Sequence, residues 1–211
     1  CDNAFFFNGE LVYTNLRMIE EAHMGRLFEE LLVEQCAPTL TGLKPASLFR
    51  YQADDRIESV QAAVHWAREL EPYGITVRVL KVCPKTGASL IYLYRKTELL
   101  RLLAEPAVLN FLKGSGYETE GGGDQLLRQL SRRLCLEEEF PHEIGVFLGY
   151  PLEDVEGFIR HRGRNFSLCG YWKVYGDPEE AQIKFERYRC CTVHCMEQLR
   201  SGVSIIRMIA A

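Results

Sequence analysis

The sequence predicts an α+β fold in which a small mixed or antiparallel sheet is covered by helices. The first observation is the order of its segments, which runs strand, helix, two strands, helices, strand, helix. The second is composition, because 47% of the 211 residues are hydrophobic and 26% are charged, as in a globular protein with a substantial core. The third is that no internal repeat is visible. We therefore expect a single compact domain over residues 1–211.

The first segments predict a hairpin and a helix. Residues 4–14 place aromatic and apolar side chains on both sides of Asn8-Gly9, a dipeptide that type I′ turns favour. Asn15 can cap a helix that runs to about residue 35. An irregular loop should follow, because the chain then carries two prolines and a glycine, at Pro38, Gly42 and Pro45.

The next segments predict most of the sheet. Residues 46–51 are short, apolar and strand-like, and a helix from Asp54 to about residue 70 follows them. Residues 75–82 and 88–95 alternate between apolar and polar side chains or are continuously apolar. They lie on the two sides of a turn that contains proline and glycine. They predict a second hairpin.

Helices dominate the second half of the chain. Residues 97–113 are helical in pattern, and the glycine-rich connector at residues 114–123 is a candidate domain boundary. A helix at residues 124–136 precedes two short helices around a Gly-Tyr-Pro turn, a strand at residues 166–175 and a long helix from Asp177.

The two ends of the chain are predicted to be appendages of the domain. The first is the hairpin region at residues 1–15. The second is the tail at residues 202–211, which follows the end of the long helix at Ser201-Gly202. Residues 205–211 are apolar and are predicted to form an edge strand.

Charge and hydropathy exclude several classes of partner. The net charge of −4 gives no general affinity for nucleic acid or anionic lipid. No apolar run approaches the roughly 20 residues that span a bilayer, and the start of the chain does not resemble a secretory signal. We therefore expect a cytoplasmic protein without a membrane or nucleic-acid partner.

Eight cysteines are many for a chain of this length. Without an export signal, reduced thiols fit the sequence better than a disulfide framework. Free cysteine also packs as a small buried hydrophobe, and we expect that role for Cys83 and Cys135.

Three separated motifs occur in order along the chain. They are CAPTLTGLKPASLF from Cys36, HEIGVFLGYPLEDV from His142 and CGYWKVY from Cys169. Together they resemble an uncharacterised family, domain of unknown function thirty-seven ninety-three, over about residues 27–191. The resemblance implies a protein of anaerobic Gram-positive bacteria without established catalytic residues. It also implies an association with flavodoxin and iron-related genes, and hence a protein partner such as flavodoxin.

The long helix carries a cluster of metal-ligand side chains at Cys190, Cys191, His194 and Cys195. At about 100° per residue, all four lie on less than half of the helix circumference. The i,i+4 pairs Cys190/His194 and Cys191/Cys195 allow two side chains to bind one soft ion, with Cys169 as a further ligand. Iron, zinc and haem are the candidate cofactors. Redox thiol chemistry and simple packing of the thiols are the alternatives.

Residues 143–159 have the spacing of a helix-turn-helix unit. DNA binding does not fit, because the second helix opens with Glu153, Asp154 and Glu156, which would repel phosphates and the acceptor-rich edges of bases. A helical hairpin packed on the sheet fits better, and a surface for a protein partner is the intermediate interpretation.

A basic run followed by aromatic residues predicts a site for a small anionic ligand. Guanidinium groups beside rings can hold a phosphate or a porphyrin propionate and stack on the ligand. The alternative is a solvated helix C-terminus, where cations complement the dipole. The predicted cofactor-binding residues are Arg160, Arg162, Arg164, Tyr171, Trp172 and Lys173.

The loop that begins at Cys36 predicts a possible catalytic site. Cys36 could act as a nucleophile and Lys44 as part of an anion-binding wall, with His142 or His65 as the base if the fold brings it near. A structural loop is the alternative.

Among function classes, a binding protein for metal, iron or haem is favoured, because thiols and imidazole converge. A small enzyme for an anionic substrate and an interaction or regulatory module stay open.

Overall fold

The computed structural model describes residues 28–52, 56–136 and 140–210. It confirms the α+β class, since helices accompany one three-stranded antiparallel sheet and one two-stranded sheet. The hairpin predicted at residues 4–14 and the helix start predicted at Asn15 lie outside the described residues.

The described helices and strands are labelled here in chain order. The helices are α1 (Phe28–Leu40), α2 (Arg56–Leu70), α3 (Lys96–Leu103), α4 (Pro106–Gly114), α5 (Gly122–Leu136), α6 (Ile144–Phe147), α7 (Leu152–His161), α8 (Pro178–Arg200) and α9 (Ile205–Ala210). The strands are β1 (Ala46–Tyr51), β2 (Ile75–Val82), β3 (Ser89–Arg95), β4 (Leu168–Cys169) and β5 (Lys173–Val174).

The described residues fall into two compact units. The sheet unit contains residues 28–52, 56–99 and 188–210, and the helical unit contains residues 100–136 and 140–187. Both α3 and α8 contribute residues to each unit. The glycine-rich connector at residues 114–123 lies within the helical unit. The single domain over residues 1–211 stays a prediction.

The sheet unit is built around β3, the central strand of the order β1-β3-β2. Both neighbouring strands are antiparallel to it, and a bulge between Val79 and Lys81 interrupts the β2–β3 ladder. The predicted strand and hairpin are thereby confirmed. One face of the sheet packs with α1 and α2 in a core that includes Phe28, Phe49 and Ile91. Cys195 and Ile205 also belong to this core.

The helical unit contains α4 to α7 and the short β4–β5 pair. The two short helices predicted around the Gly-Tyr-Pro turn are confirmed as α6 and α7, with Gly149 at φ +75° between them. α7 packs against β5, so the predicted helical hairpin lies on a sheet.

The predicted loop after residue 35 is wrong at its start, because α1 continues through Pro38 to Leu40. Cys36 and Leu40 are buried in the core, which holds this last turn in place. The turn also keeps hydrogen bonds, since Thr41 N–H donates to the Ala37 carbonyl at 3.0 Å. Burial therefore outweighs the backbone donor that proline lacks.

The predicted strand at residues 166–175 is also wrong, because the chain reverses within it to form β4 and β5. The reversal brings Gly170 against the Phe185 ring, where an added Cβ would stand 2.3 Å from the ring and so would not fit. The N–H of Gly170 donates to the Trp172 carbonyl at 3.1 Å and closes the turn.

The tail predicted as an edge strand forms the helix α9 instead. Its apolar residues recur at the i, i+1, i+3, i+4 intervals of a helix face. Ile205 is fully buried, and Ile206, Met208 and Ile209 pack partly buried against the same core. This packing, together with the turn at Gly202 (φ +84°), explains why the tail forms a separate helix, α9, after α8.

Candidate functional site

The candidate site lies on α8, a helix whose start is fixed by local signals. Asp177 caps it by accepting hydrogen bonds from the backbone N–H groups of Glu179 and Glu180, at 2.8 and 3.2 Å. Cys191 and Cys195 lie one helical turn apart in the part of α8 that belongs to the sheet unit. Cys195 is 3% exposed, whereas Cys191 is partly exposed.

The end of α1 brings a hydroxyl to this pair. Arg95 holds the last carbonyls of α1, because its Nε donates to Thr39 O at 2.7 Å and its second guanidinium nitrogen donates to Leu40 O. Gly42, at φ +84°, lets the chain turn directly after the helix. Thr41 is therefore held between a fixed helix end and a tight turn.

Thr41 Oγ1 lies 3.2 Å from Cys191 Sγ and 2.9 Å from the carbonyl oxygen of Ala37. The hydroxyl has one hydrogen, so it donates to either the carbonyl or the sulfur. When Cys191 is a thiolate, the charge-assisted bond to sulfur is the stronger one. Thr41 then stabilises the ionised form of Cys191.

The two thiols of the pair differ in acidity. The hydrogen bond from Cys195 lowers the pKa of Cys191 from 9.0 to about 6, and Thr41 and the nearby His194 act in the same direction. Donating that hydrogen bond raises the pKa of Cys195, as do its burial and the negative charge on Cys191. Cys191 therefore loses its proton first and is a thiolate at neutral pH, with Cys195 as its hydrogen-bond donor.

The remaining predicted metal ligands are less closely grouped. Cys190 is exposed, and Arg189 approaches its sulfur only at 4.0 Å. Cys169 lies on β4 in the helical unit, whereas the α8 cluster belongs to the sheet unit. In the described part of the chain, no group of three or more His, Cys, Asp or Glu side chains is placed to hold a metal ion.

The predicted catalytic residues fall in both units. Cys36 and Lys44 interact within the sheet unit, while His142 belongs to the helical unit. Burial raises the pKa of Cys36 to about 12 and lowers the pKa of Lys44 to about 8. Because a protonated thiol is a poor nucleophile, the surroundings of Cys36 favour its structural role.

Three of the six predicted anion-binding residues contact other parts of the protein, and the other three are exposed arginines. Lys173 Nζ donates to the Gly163 carbonyl at 2.8 Å and lies 4.7 Å from the Phe166 ring. Trp172 is buried and stacks on Tyr150 at 4.9 Å. The Tyr171 ring contacts Phe185, and the exposed guanidinium residues are Arg160, Arg162 and Arg164.

A small cavity lies beside Trp172 and Lys173, with His142 also in its lining. Its volume is about 20 Å³, enough for about one water molecule. Ligand pockets are typically about 300–1,000 Å³. A nucleotide or porphyrin therefore does not fit this cavity.

Asp154 is a buried residue whose role the sequence did not reveal. Its Oδ1 accepts hydrogen bonds from the N–H groups of Tyr175 and Gly176, at 2.7 and 2.8 Å, and its Oδ2 accepts one from Trp172 Nε1 at 2.6 Å. Asp154 therefore binds both the β4–β5 turn, through Trp172, and the two residues that follow β5. Its position in the first helical turn is the only local signal for this role.

The expectation that Cys83 and Cys135 are buried hydrophobes is wrong. Cys135 is exposed, and Cys83 is partly exposed in the β2–β3 turn. Hydrogen bonds from Thr86 lower the pKa of Cys83 to about 7. The cysteines that the structure describes are free, and their reduced state in the cell stays a prediction.

Fold and site together define an α+β protein with a thiol pair on one helix. The chain matches the family described as "Protein of unknown function (DUF3793)" over residues 32–209 and belongs to that family. The resemblance seen in the three motifs is thereby confirmed. No curated protein and no solved structure matched the chain. None of the described helices has the length and apolar composition needed to cross a membrane.

Proposed function

We propose that this protein binds and handles a thiophilic metal ion, iron or zinc, through Cys191 and Cys195. The observation that carries the proposal is the 3.2 Å contact of Cys191 Sγ with the Thr41 hydroxyl, one helical turn from Cys195. The Thr41 hydroxyl and the Cys195 thiol both lower the pKa of Cys191 and so favour its thiolate, which is the form of cysteine that binds metal.

When the ion displaces the proton of Cys195, the two thiolates one helical turn apart form an open site. Structural zinc sites surround the ion with four protein ligands, whereas this pair supplies two. Solvent or a small thiol would fill the remaining positions. Such a site suits an ion that is taken up and passed on, since few protein bonds must break for its release.

The test is a zinc titration of the reduced chain under anaerobic conditions, in competition with a chromogenic chelator. Zinc is chosen as the probe because it has no redox chemistry that would oxidise the thiols. We expect one zinc ion per chain and an affinity at least about tenfold lower in Cys191→Ser and Cys195→Ser. A parallel titration with Fe²⁺ extends the test to iron.

Cys190→Ser is the matched control, because it removes an adjacent exposed thiol of the same helix. We expect its zinc affinity to stay close to that of the parent chain. Equal binding by the parent chain and Cys191→Ser would refute the proposal, as would the failure of the parent chain to take up either ion. Circular dichroism of each variant checks that α8 is retained.

Haem binding and the enzyme alternative gain less support from the geometry. The cavity beside Trp172 is too small for a porphyrin, and burial keeps Cys36 protonated. The other expected partners, a small anionic ligand and a protein such as flavodoxin, stay predictions, as does the cytoplasmic location.

A further inference from the structure

The thiol pair on α8 also has the arrangement of an oxidation site. Cys191 is partly exposed and Cys195 is buried behind it, so an oxidant in solution meets Cys191 first. Cys191 and Cys195 are four residues apart on one helix, so a group formed on Cys191 lies next to the Cys195 side chain. Thr41 adds a hydrogen bond to the outer sulfur from a second element.

We propose that Cys191 is a site of oxidation by hydroperoxides and that Cys195 closes it into a disulfide within α8. The Cys191 thiolate attacks one peroxide oxygen; an S–O bond forms, the O–O bond breaks, and an alcohol leaves after protonation. Cys195 then attacks the Cys191 sulfur; the S–S bond forms, the S–O bond breaks, and the thiol proton departs with the hydroxide as water. Two thiols are oxidised, and one hydroperoxide is reduced to alcohol and water.

The disulfide requires a local change in α8. Side chains at i and i+4 have Cβ atoms about 5–6 Å apart, whereas a disulfide needs about 3.5–4.5 Å. The turn of α8 between Cys191 and Cys195 must therefore unwind locally, inside a helix that continues to Arg200. Because Cys195 and Ile205 share a core, the closure also disturbs the packing of α9.

Oxidation consumes both cysteines that would bind the metal ion. This regulatory consequence rests on the proposed function, although the formation of the disulfide does not. The protein would therefore release the ion, or fail to bind it, when hydroperoxide is present. Reduction of the disulfide would restore binding.

The test uses the full reduced chain, treated anaerobically with stoichiometric hydrogen peroxide and then alkylated. Tryptic cleavage after Arg189 and Arg200 gives residues 190–200, which hold Cys190, Cys191 and Cys195 in one peptide. We expect Cys190 to be alkylated and the other two cysteines to be joined and protected. Reduction before alkylation should restore all three as alkylated residues.

Variants separate the two steps of the oxidation. In Cys195→Ser and Cys195→Ala, a sulfenic acid at Cys191 should persist and be trapped by dimedone, with no disulfide in the peptide. In Cys190→Ser the disulfide should still form. Full alkylation of Cys191 after peroxide treatment, or a disulfide that includes Cys190, would overturn the inference. If the Cys195 variants fail to fold, the tryptic peptide map of the oxidised parent chain is sufficient to test the inference.

The outcomes separate this inference from the proposed function. Zinc uptake without a Cys191–Cys195 disulfide contradicts the oxidation site alone. A disulfide in a chain that takes up neither zinc nor Fe²⁺ contradicts the metal proposal alone.

Discussion

Cys191 owes its acidity to two neighbours that come from distant parts of the sequence. Cys195 lies four residues away on the same helix, but Thr41 is separated from Cys191 by 150 residues. Spacing on a helix predicted the first contact, because i,i+4 side chains are neighbours. No local signal could reveal the second contact. The candidate site was therefore only half predictable from the sequence.

The acidity of Cys191 can be tested by the pH dependence of its alkylation. Its pKa of about 6 means that the thiolate fraction, and hence the rate, should fall about tenfold between pH 7 and pH 5. An ordinary thiol with a pKa near 8.5 should slow about a hundredfold over this range. Mass spectrometry of the peptide at residues 190–200 measures the rate at Cys191.

Thr41→Val should raise the pKa of Cys191, since it removes a hydrogen bond to the thiolate. We expect alkylation at pH 6 to slow about threefold, from a bond worth about 1 kcal/mol. Thr192→Val makes the same chemical change beside Cys191 on α8 and should leave the rate unchanged. Equal rates in both variants would show that Thr41 does not act on the sulfur.

Asp154 is a second residue whose effect can be isolated. Asp154→Asn should destabilise the protein by about 2–4 kcal/mol. Both carboxylate oxygens of Asp154 accept hydrogen bonds from N–H groups, and the amide nitrogen that replaces one of these oxygens cannot accept. Urea unfolding followed by tryptophan fluorescence measures the change. Glu156→Gln removes an exposed charge from the same helix and should change the stability by less than about 0.5 kcal/mol.

At the scale of elements, close approach to another side chain outweighs helix propensity at Gly157. Replacing a helical glycine by alanine ordinarily stabilises by up to about 1 kcal/mol. In α7, however, the new Cβ would lie 2.4–2.9 Å from three atoms of Tyr175. We expect Gly157→Ala to lower the free energy of unfolding by about 1–3 kcal/mol.

Gly114→Ala is the matched control for this prediction. It lies at the end of α4, and nothing lies within 4 Å of the added Cβ. Denaturant unfolding should show a neutral effect or a gain of up to about 1 kcal/mol. A gain at Gly157 as well would mean that Tyr175 moves away at little cost.

Elements with strong local signals were predicted well, and elements decided by packing were not. Both ends of α8 were predicted from the sequence, the start from the cap at Asp177 and the end from Gly202. By contrast, α1 continues through Pro38 because the following residues are buried. The reversal at Gly170 and the helix at Ile205–Ala210 likewise depend on contacts with Phe185 and the sheet-unit core. Those contacts have no counterpart in local sequence.

At the scale of the whole molecule, composition and segment order were sufficient to predict the α+β class. Each helix and sheet has an apolar face that must be buried against another element, and the order of the segments limits how this can be done. Composition and order did not determine which segments share a core. The sheet unit combines residues 28–52 and 56–99 with residues 188–210, and this pairing of distant segments has no periodic or compositional mark. It is also what places Cys191 and Thr41 in the same unit.

The interrupted order of the sheet unit bears on how the protein is made. Its sheet and first helices leave the ribosome before residues 100–187, whereas Cys195 and Ile205 of its core emerge after them. Because domains generally fold as units during synthesis, the core that α1, α2 and the sheet begin is completed only when these last residues emerge. A chain stalled before residue 188 would therefore expose the part of this core that Cys195 and Ile205 cover.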